Sequence, residues 1–328
     1  MASPYPLLFE PILKPKVWGG RRLARYGKTL PADELVGESW EVADLASTAP
    51  SGGGGGDARS VISGGPLAGR TLHDAVREWG DDLIESSKVG RDGAFPLLVK
   101  FLDAYENLSV QVHPSAAYTA AHPEAHLKTE CWYVLEAEPG SVIYAGVKAG
   151  VTRERFDRDI RDDAVVDDLV VREARRGDMH LLPSGTVHAL GAGVLVAEVQ
   201  TPSDTTFRVY DWGRTDREMH VAQALAAMTL DAAPEPTSIP SNVQCAELVG
   251  TDHFCVDEIR VIDDAYPLDV TCCTVLMAVD GDAILEAADD SFEPVPLRIG
   301  TTVVIPRACA PAATLRAAHT PTILCVRL

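Results

Sequence analysis

Two histidines, a glutamate and a glutamine are spaced in a way that could hold a divalent metal ion. Gln111 and His113 belong to the alternating run Val110-Gln111-Val112-His113-Pro114. A side-chain period of two puts Gln111 and His113 on one face of a strand and Val110 and Val112 on the other. Seventeen residues after His113, Glu130 precedes a strand-forming run, Cys131 to Leu135, and His188 follows a Pro-Ser-Gly turn that ends an apolar strand. Imidazole, carboxylate and amide make an N/O donor set suited to a borderline ion such as zinc. A lone strand histidine is more often an ordinary polar group, and His122, His126 and His180 compete as donors. Local pattern does not separate His180 from His188. The combination Gln-x-His-Pro, Lys-Thr-Glu and Pro-Ser-Gly-Thr-x-His, in that order, is what makes the pattern specific.

These motifs sit within longer segments: FEPILKPKVWGG (9–20), GESWEVAD (37–44), FPLLVKFLDAYENLSVQVHP (95–114), KTECWYVL (128–135), LPSGTVHAL (182–190) and EVQTPSDTTFRVYDWGR (198–214). In this order they resemble the type I mannose-6-phosphate isomerases, zinc enzymes of the cupin superfamily. The resemblance implies a mainly β chain built on a cupin jelly roll; apolar spacing over 71–88 adds the expectation of a small helical insertion, and an internal repeat that of a second, degenerate cupin-like β domain. It implies one zinc ion per chain held by Gln111, His113, Glu130 and His188, with Arg208 as the active-site arginine. The implied reaction interconverts mannose 6-phosphate and fructose 6-phosphate through an enediol.

The barrier in such an isomerisation lies in deprotonating a carbon next to a carbonyl. A divalent ion and a cation such as Arg208 lower it by stabilising developing oxygen charge. A guanidinium stays protonated at neutral pH and is a poor base. Lys100 and Lys128 are assigned to substrate or phosphate binding. Spacing does not decide which group is the general base, and the sequence leaves the oligomeric state open, a monomer being compatible. Two rival readings carry the same residues: a cupin isomerase acting on an unphosphorylated sugar, and a non-catalytic metal-containing sugar-binding cupin. An oxygenase would call for more histidines and an open iron site, which Gln111 argues against.

The chain that must position these groups has 328 residues, 46% of them apolar and 23% charged, ordinary for a globular protein. No apolar run reaches the roughly 18 residues of a membrane span, and the N-terminus lacks the features of a signal peptide. Seven cysteines, odd in number and without a C-x-x-C pair, argue against a disulfide framework and suit a reducing cytoplasm. They read as small buried side chains. A net charge of −19 disfavours nucleic-acid binding and gives no long-range attraction for an anionic sugar phosphate. Local cations must collect it, and Arg21, Arg22, Lys100, Lys128, Arg208 and Arg214 stand beside the motifs. Arg172, Arg175 and Arg176 read as solvated surface groups.

Trp18-Gly19-Gly20 reads as a turn and Ser39 to Val42 as a strand. The glycine-rich stretch 51–56 lacks the Lys-Ser/Thr of a phosphate loop and reads as a surface loop. Leu72, Val76, Trp79, Leu83 and Ile84 repeat at helical spacing, predicting a helix over 71–88 with Thr71 as N-cap. A second helix is expected from about Ala222 to Met228, and mainly strands between Phe95 and Tyr210. We therefore expect a catalytic domain over 1–232 with a helical insertion at about 70–90, a linker over 233–242 rich in proline and small polar residues, and a second domain over 243–328. Residues 134–143 line up with 275–284, and Gly177, Pro183 and His188 share their spacing with Gly300, Pro306 and Pro311. Under these offsets Glu130 becomes Thr271 and His188 becomes Pro311, so the second copy is expected to lack the metal site.

Overall fold

The inner strands of the first half are apolar on both faces because both faces are covered. In strand Glu130–Ala137, Trp132 and Val134 point to one side while Cys131, Tyr133 and Leu135 point to the other, and all five are buried. The computed structural model describes residues 2–49 and 55–328 and is built from two β-sandwiches. In the first, a six-stranded antiparallel sheet runs in the order Met179–Leu182, Glu130–Ala137, Val194–Gln200, Leu98–Ala104, Val36–Val42, Ile12–Gly20. It faces a five-stranded sheet in the order Leu169–Glu173, Val142–Val147, His188–Leu190, Val110–Val112, Phe207–Tyr210. Leu102, Trp132, Val134 and Val196 from the first sheet meet Ile143, Ala145 and Leu190 from the second in one apolar cluster.

The second sandwich repeats that strand order. Thr302–Ile305, Thr274–Asp280, Thr322–Arg327 and Cys255–Arg260 are adjacent in one sheet, and Val295–Leu297, Ala283–Ala287, Ala313–Arg316 and Ala265–Pro267 in the other. Cys245–Gly250 adds an edge strand, and Leu7–Leu8 from the N-terminus pairs with Val303 and Val304 at the other edge. The two six-stranded sheets pack back to back: Phe101, Tyr133, Leu135 and Val199 share a core with Val256, Val275, Met277 and Leu324. We propose the division into 1–232, a linker over 233–242, and 243–328 on the strength of this repeated order, with Leu7–Leu8 crossing the boundary.

Thr71 caps helix Leu72–Trp79 through a capping box with Asp74. The helix stops at Trp79, short of the expected residue 88, because Gly80 turns the chain at φ 51° and a 3-10 turn follows over Gly80–Asp82. The later helix spans Val221–Ala227. Helices Ala116–Ala121 and Arg153–Arg161 lie outside the expected elements; Arg153–Arg161 carries a single apolar i,i+4 pair, buried Phe156 and half-buried Ile160, too short a pattern to mark a helix. Trp18-Gly19-Gly20 is the end of strand Ile12–Gly20 and not a turn. Gly19 allows close approach there, since a Cβ on it would collide with the backbone of Gly37.

Residues 50–54 of the glycine-rich stretch lie outside the described residues, whereas Gly55 and Gly56 are exposed with positive φ. Arg172 is buried and not a solvated surface group: it donates to the carbonyls of Ala233, at 2.6 Å, and Pro234, clasping the linker to the first sandwich. Arg175 and Arg176 are exposed. All seven cysteines are free; Cys131, Cys273, Cys309 and Cys325 are buried, Cys255 and Cys272 half-buried and Cys245 exposed. Among the described residues no helix is long and apolar enough to cross a membrane.

Candidate metal centre and substrate cleft

Two cross-strand rows face each other inside the first sandwich. On the five-stranded sheet, Gln111 is in register with His188 on one side and Arg208 on the other. On the six-stranded sheet, Glu198 is in register with Trp132 and Lys100, and Lys100 with Trp40. Glu130 begins its strand opposite Gln200 and reaches across to the histidines.

His113, Glu130 and His188 are buried, and their ligand atoms lie within 4.8 Å of one another. Each histidine is locked by a backbone carbonyl: Nδ1–H of His113 donates to Thr205 O at 2.8 Å, and that of His188 to Thr186 O at 2.9 Å. Both Nε2 lone pairs are thereby aimed at the shared space, as metal-ligating histidines require. His113 Nε2 lies 3.5 Å and His188 Nε2 3.1 Å from Glu130 Oε1. Donors bonded to one zinc at about 2.1 Å in a tetrahedral array are about 3.4 Å apart, so the spacing fits. Gln111 lies beside the three, its amide nitrogen Nε2 3.2 Å from His188 Nε2. Glu130 sharpens the fit. Both its oxygens are buried without a well-formed hydrogen bond among the described residues, although Lys128 Nζ approaches Oε2 at 2.8 Å. Burial opposes ionisation of Glu130, but Lys128 and the two histidines outweigh it and hold its pKa well below the usual carboxylate range. Burial and Lys128 push His113 down to about 3, keeping its imidazole neutral.

Beside this cluster the cleft is polar and charged. Lys100 Nζ lies 3.0 Å from Glu198 and 3.8 Å from Glu38, over the ring of Trp40. Burial favours its neutral form, but the two carboxylates prevail and its pKa is raised, so it is a fixed cation. Trp132 Nε1–H donates to Glu198 at 2.8 Å. Burial works against the Glu38 carboxylate, yet Lys16 and Lys100 bring it down to about 2. Arg208 is buried; its Nη1 donates to Glu218 O at 2.7 Å, while its Nε finds no acceptor among the described residues.

The family described as phosphomannose isomerase type I, catalytic domain, matches residues 7–145. The chain is 38% identical to a mannose-6-phosphate isomerase of Bacillus subtilis, ManA, over 70% of each chain. It is 36% identical to the mannose-6-phosphate isomerase of Streptococcus mutans over 76% of this chain and 77% of that one. Its fold superposes on the crystal structure of the B. subtilis mannose 6-phosphate isomerase with a TM-score of 0.81 at 29% identity, covering 98% and 99% of the two chains. This protein belongs to the type I mannose-6-phosphate isomerase family.

Within this isomerase fold the other histidines are set apart. His122 stacks on Tyr118 at the surface, with ring centroids 4.0 Å apart, and His126 is exposed. His180 is fully buried beside Trp132 in register, and neither ring nitrogen finds a hydrogen-bond partner among the described residues. Arg22 is taken up by Asp103 and the carbonyls of Gly193 and Ala104, Arg21 by those of Pro31 and Glu34, and Arg214 by Asp211 and Asn107 O. All three serve structure. Sequence reasoning did not single out Glu38, Glu198 and Arg217, which also line the cleft. Period-two alternation from Gln200 was the available signal for Glu198, since it puts both on one face.

Proposed function

We propose that this protein is a zinc-dependent aldose–ketose isomerase interconverting mannose 6-phosphate and fructose 6-phosphate through an enediol. The observation that carries the reading is the convergence of His113, Glu130 and His188, with both histidines held by backbone carbonyls, next to Gln111 and Lys128, which line a cleft shared with Lys100 and Arg208. Gln111, His113, Glu130 and His188 would hold one zinc ion per chain. When bound, zinc supplies Lewis-acid polarisation of the substrate carbonyl. Arg208 is the catalytic cation: buried, partly unpaired and in register with Gln111, it stabilises oxygen charge as the proton moves between C1 and C2. Lys100 and Lys128 bind the sugar. The ion pair of Lys100 with Glu198 keeps its ammonium charged, which supports a binding role over that of a base. Trp40 and Trp132 flank the same row and wall off water. The reading describes a cytoplasmic enzyme whose partner is a small-molecule sugar phosphate.

A coupled assay tests it. Purified protein should turn over mannose 6-phosphate far faster than mannose, lose turnover on chelation and regain it with zinc. Turnover confined to free mannose, or unaffected by chelation, would sink the reading.

A further inference from the structure

Gln200 is fully buried and ends strand Val194–Gln200 in register with Glu130, two residues beyond Glu198 and on the same inner face. Its amide is half used. Nε2 donates to Thr201 O at 2.9 Å and to Ser203 O, whereas Oε1 finds no donor among the described residues. A buried acceptor without a donor is costly, so a leucine would suit this position better if packing were all that counted. What Nε2 holds offsets that cost. Pro202, between the two carbonyls, has no N–H to give, and Ser203 N closes on Thr201 O at 2.8 Å. The Ser203 carbonyl takes its hydrogen bond from Gln200.

The supports of His113 and Glu130 converge on the turn held in this way. On its outgoing side, Ser203 Oγ accepts from Thr205 N at 3.2 Å, and Thr205 O accepts from Nδ1–H of His113 at 2.8 Å. On its incoming side, Thr201 N donates to Thr129 O at 3.0 Å and Thr129 N to Thr201 Oγ1 at 3.2 Å, directly before Glu130. Thr129 Oγ1 in turn accepts from Ser184 N at 3.3 Å, on the loop whose Thr186 O holds His188. We propose that Gln200 is a positioning residue of the metal centre: its amide fixes the turn 201–203 so that Thr205 O keeps His113 Nε2 aimed at the ion. This inference rests on the zinc reading above. Gln200 acts through the loop and not as a ligand. Partners that orient a metal-binding histidine from behind set its ring direction, and their loss weakens metal binding by about 10- to 100-fold.

Zinc affinity of the metal-free protein, measured by competition with a chromophoric chelator, tests the proposal, with thermal unfolding of the same metal-free samples. Gln200→Leu and Gln200→Met should bind zinc about 10- to 100-fold more weakly than wild type. Their unfolding midpoints should move by less than about 3 °C, because the bonds lost from Nε2 are set against removal of the unsatisfied Oε1. Ser203→Ala cuts the next link and should weaken zinc binding about 3- to 10-fold. The double variant Gln200→Leu, Ser203→Ala should match Gln200→Leu within about twofold, since both changes break one chain. Ser141→Ala is the control: its Oγ donates to Ala192 O at 2.7 Å, beyond the opposite end of the same strand, and zinc affinity should stay at the wild-type value. Zinc affinity within about twofold of wild type in both Gln200 variants would overturn the proposal. So would an equal loss in Ser141→Ala. Should the Gln200 variants fail to fold, wild-type zinc affinity in Ser203→Ala would overturn it. A wild-type protein that binds no zinc would overturn the metal reading itself, a result the competition separates from variants that bind zinc like wild type.

Discussion

The two sandwiches share a strand order and differ in what they enclose. The first interior holds His113, Glu130, His188, Lys100 and Glu198 beside its apolar cluster. The second is filled by Leu276, Ala278, Val303, Ile305, Leu315 and Ile323. Thr271 and Pro311, the counterparts of Glu130 and His188 by spacing, are exposed outside the strands, Thr271 in the loop before Thr274–Asp280 and Pro311 in the 3-10 turn Ala310–Ala312. Strand order alone therefore builds no site. A site needs inward-facing polar residues at the mouth, where strands His188–Leu190 and Val110–Val112 meet, and loops that return carbonyls to the imidazoles. Thr205 and Thr186 do this in the first sandwich.

The largest expected effect comes from pushing the first interior toward the second. His113→Ala should lose bound metal and at least about a thousandfold in turnover together, read by elemental analysis and the coupled assay. Activity retained without metal would break the comparison. Arg208→Ala should keep the metal and lose about 100- to 1000-fold in turnover, as removal of an oxyanion-stabilising donor does elsewhere; turnover near wild type would remove Arg208 from its assigned role.

A third experiment concerns His180, whose counterpart by spacing is Val303. Burial, aided by Arg172, pushes the His180 pKa down to about 4. Above pH 6.5 the folded and unfolded forms are both neutral and nothing is lost. Between 6.5 and about 4 the unfolded chain takes up a proton that the folded one refuses, so stability falls as the pH drops. At about 1.4 kcal/mol per pH unit, the loss approaches 3 kcal/mol. Denaturant unfolding across that window should show a shallower pH slope for His180→Val than for wild type, and an unchanged slope would contradict the assignment. The smallest effect belongs to the double variant Thr271→Glu, Pro311→His. Both side chains are exposed, so stability should change by less than about 0.5 kcal/mol per site and no metal should be gained.

The residues of the candidate metal cluster, His113, Glu130 and His188, were legible because each sits in a short motif, and period-two alternation added Gln111 on the face of His113. The repeat of the fold was legible through glycine turns at Gly177 and Gly300, both with φ above 80°, and through matching apolar strands. What escaped notice depends on distant register or on loops. Lys100 meets Glu198 across 98 residues of sequence, and Arg217 enters the cleft only because its segment returns beside Arg208. Arg172 looked solvated because nothing local shows that the linker folds back over it. Helix Arg153–Arg161 shows only the single apolar pair Phe156 and Ile160 among charged residues, one i,i+4 step and no longer stripe.

Zinc titration of the metal-free protein, with bound zinc and mannose 6-phosphate turnover measured on the same samples, tests most directly the claim that one sandwich carries chemistry and the other does not. Turnover should rise in proportion to bound zinc and saturate at one ion per chain, with no saturable site in His113→Ala. Saturation at two ions, or turnover independent of zinc, would contradict it.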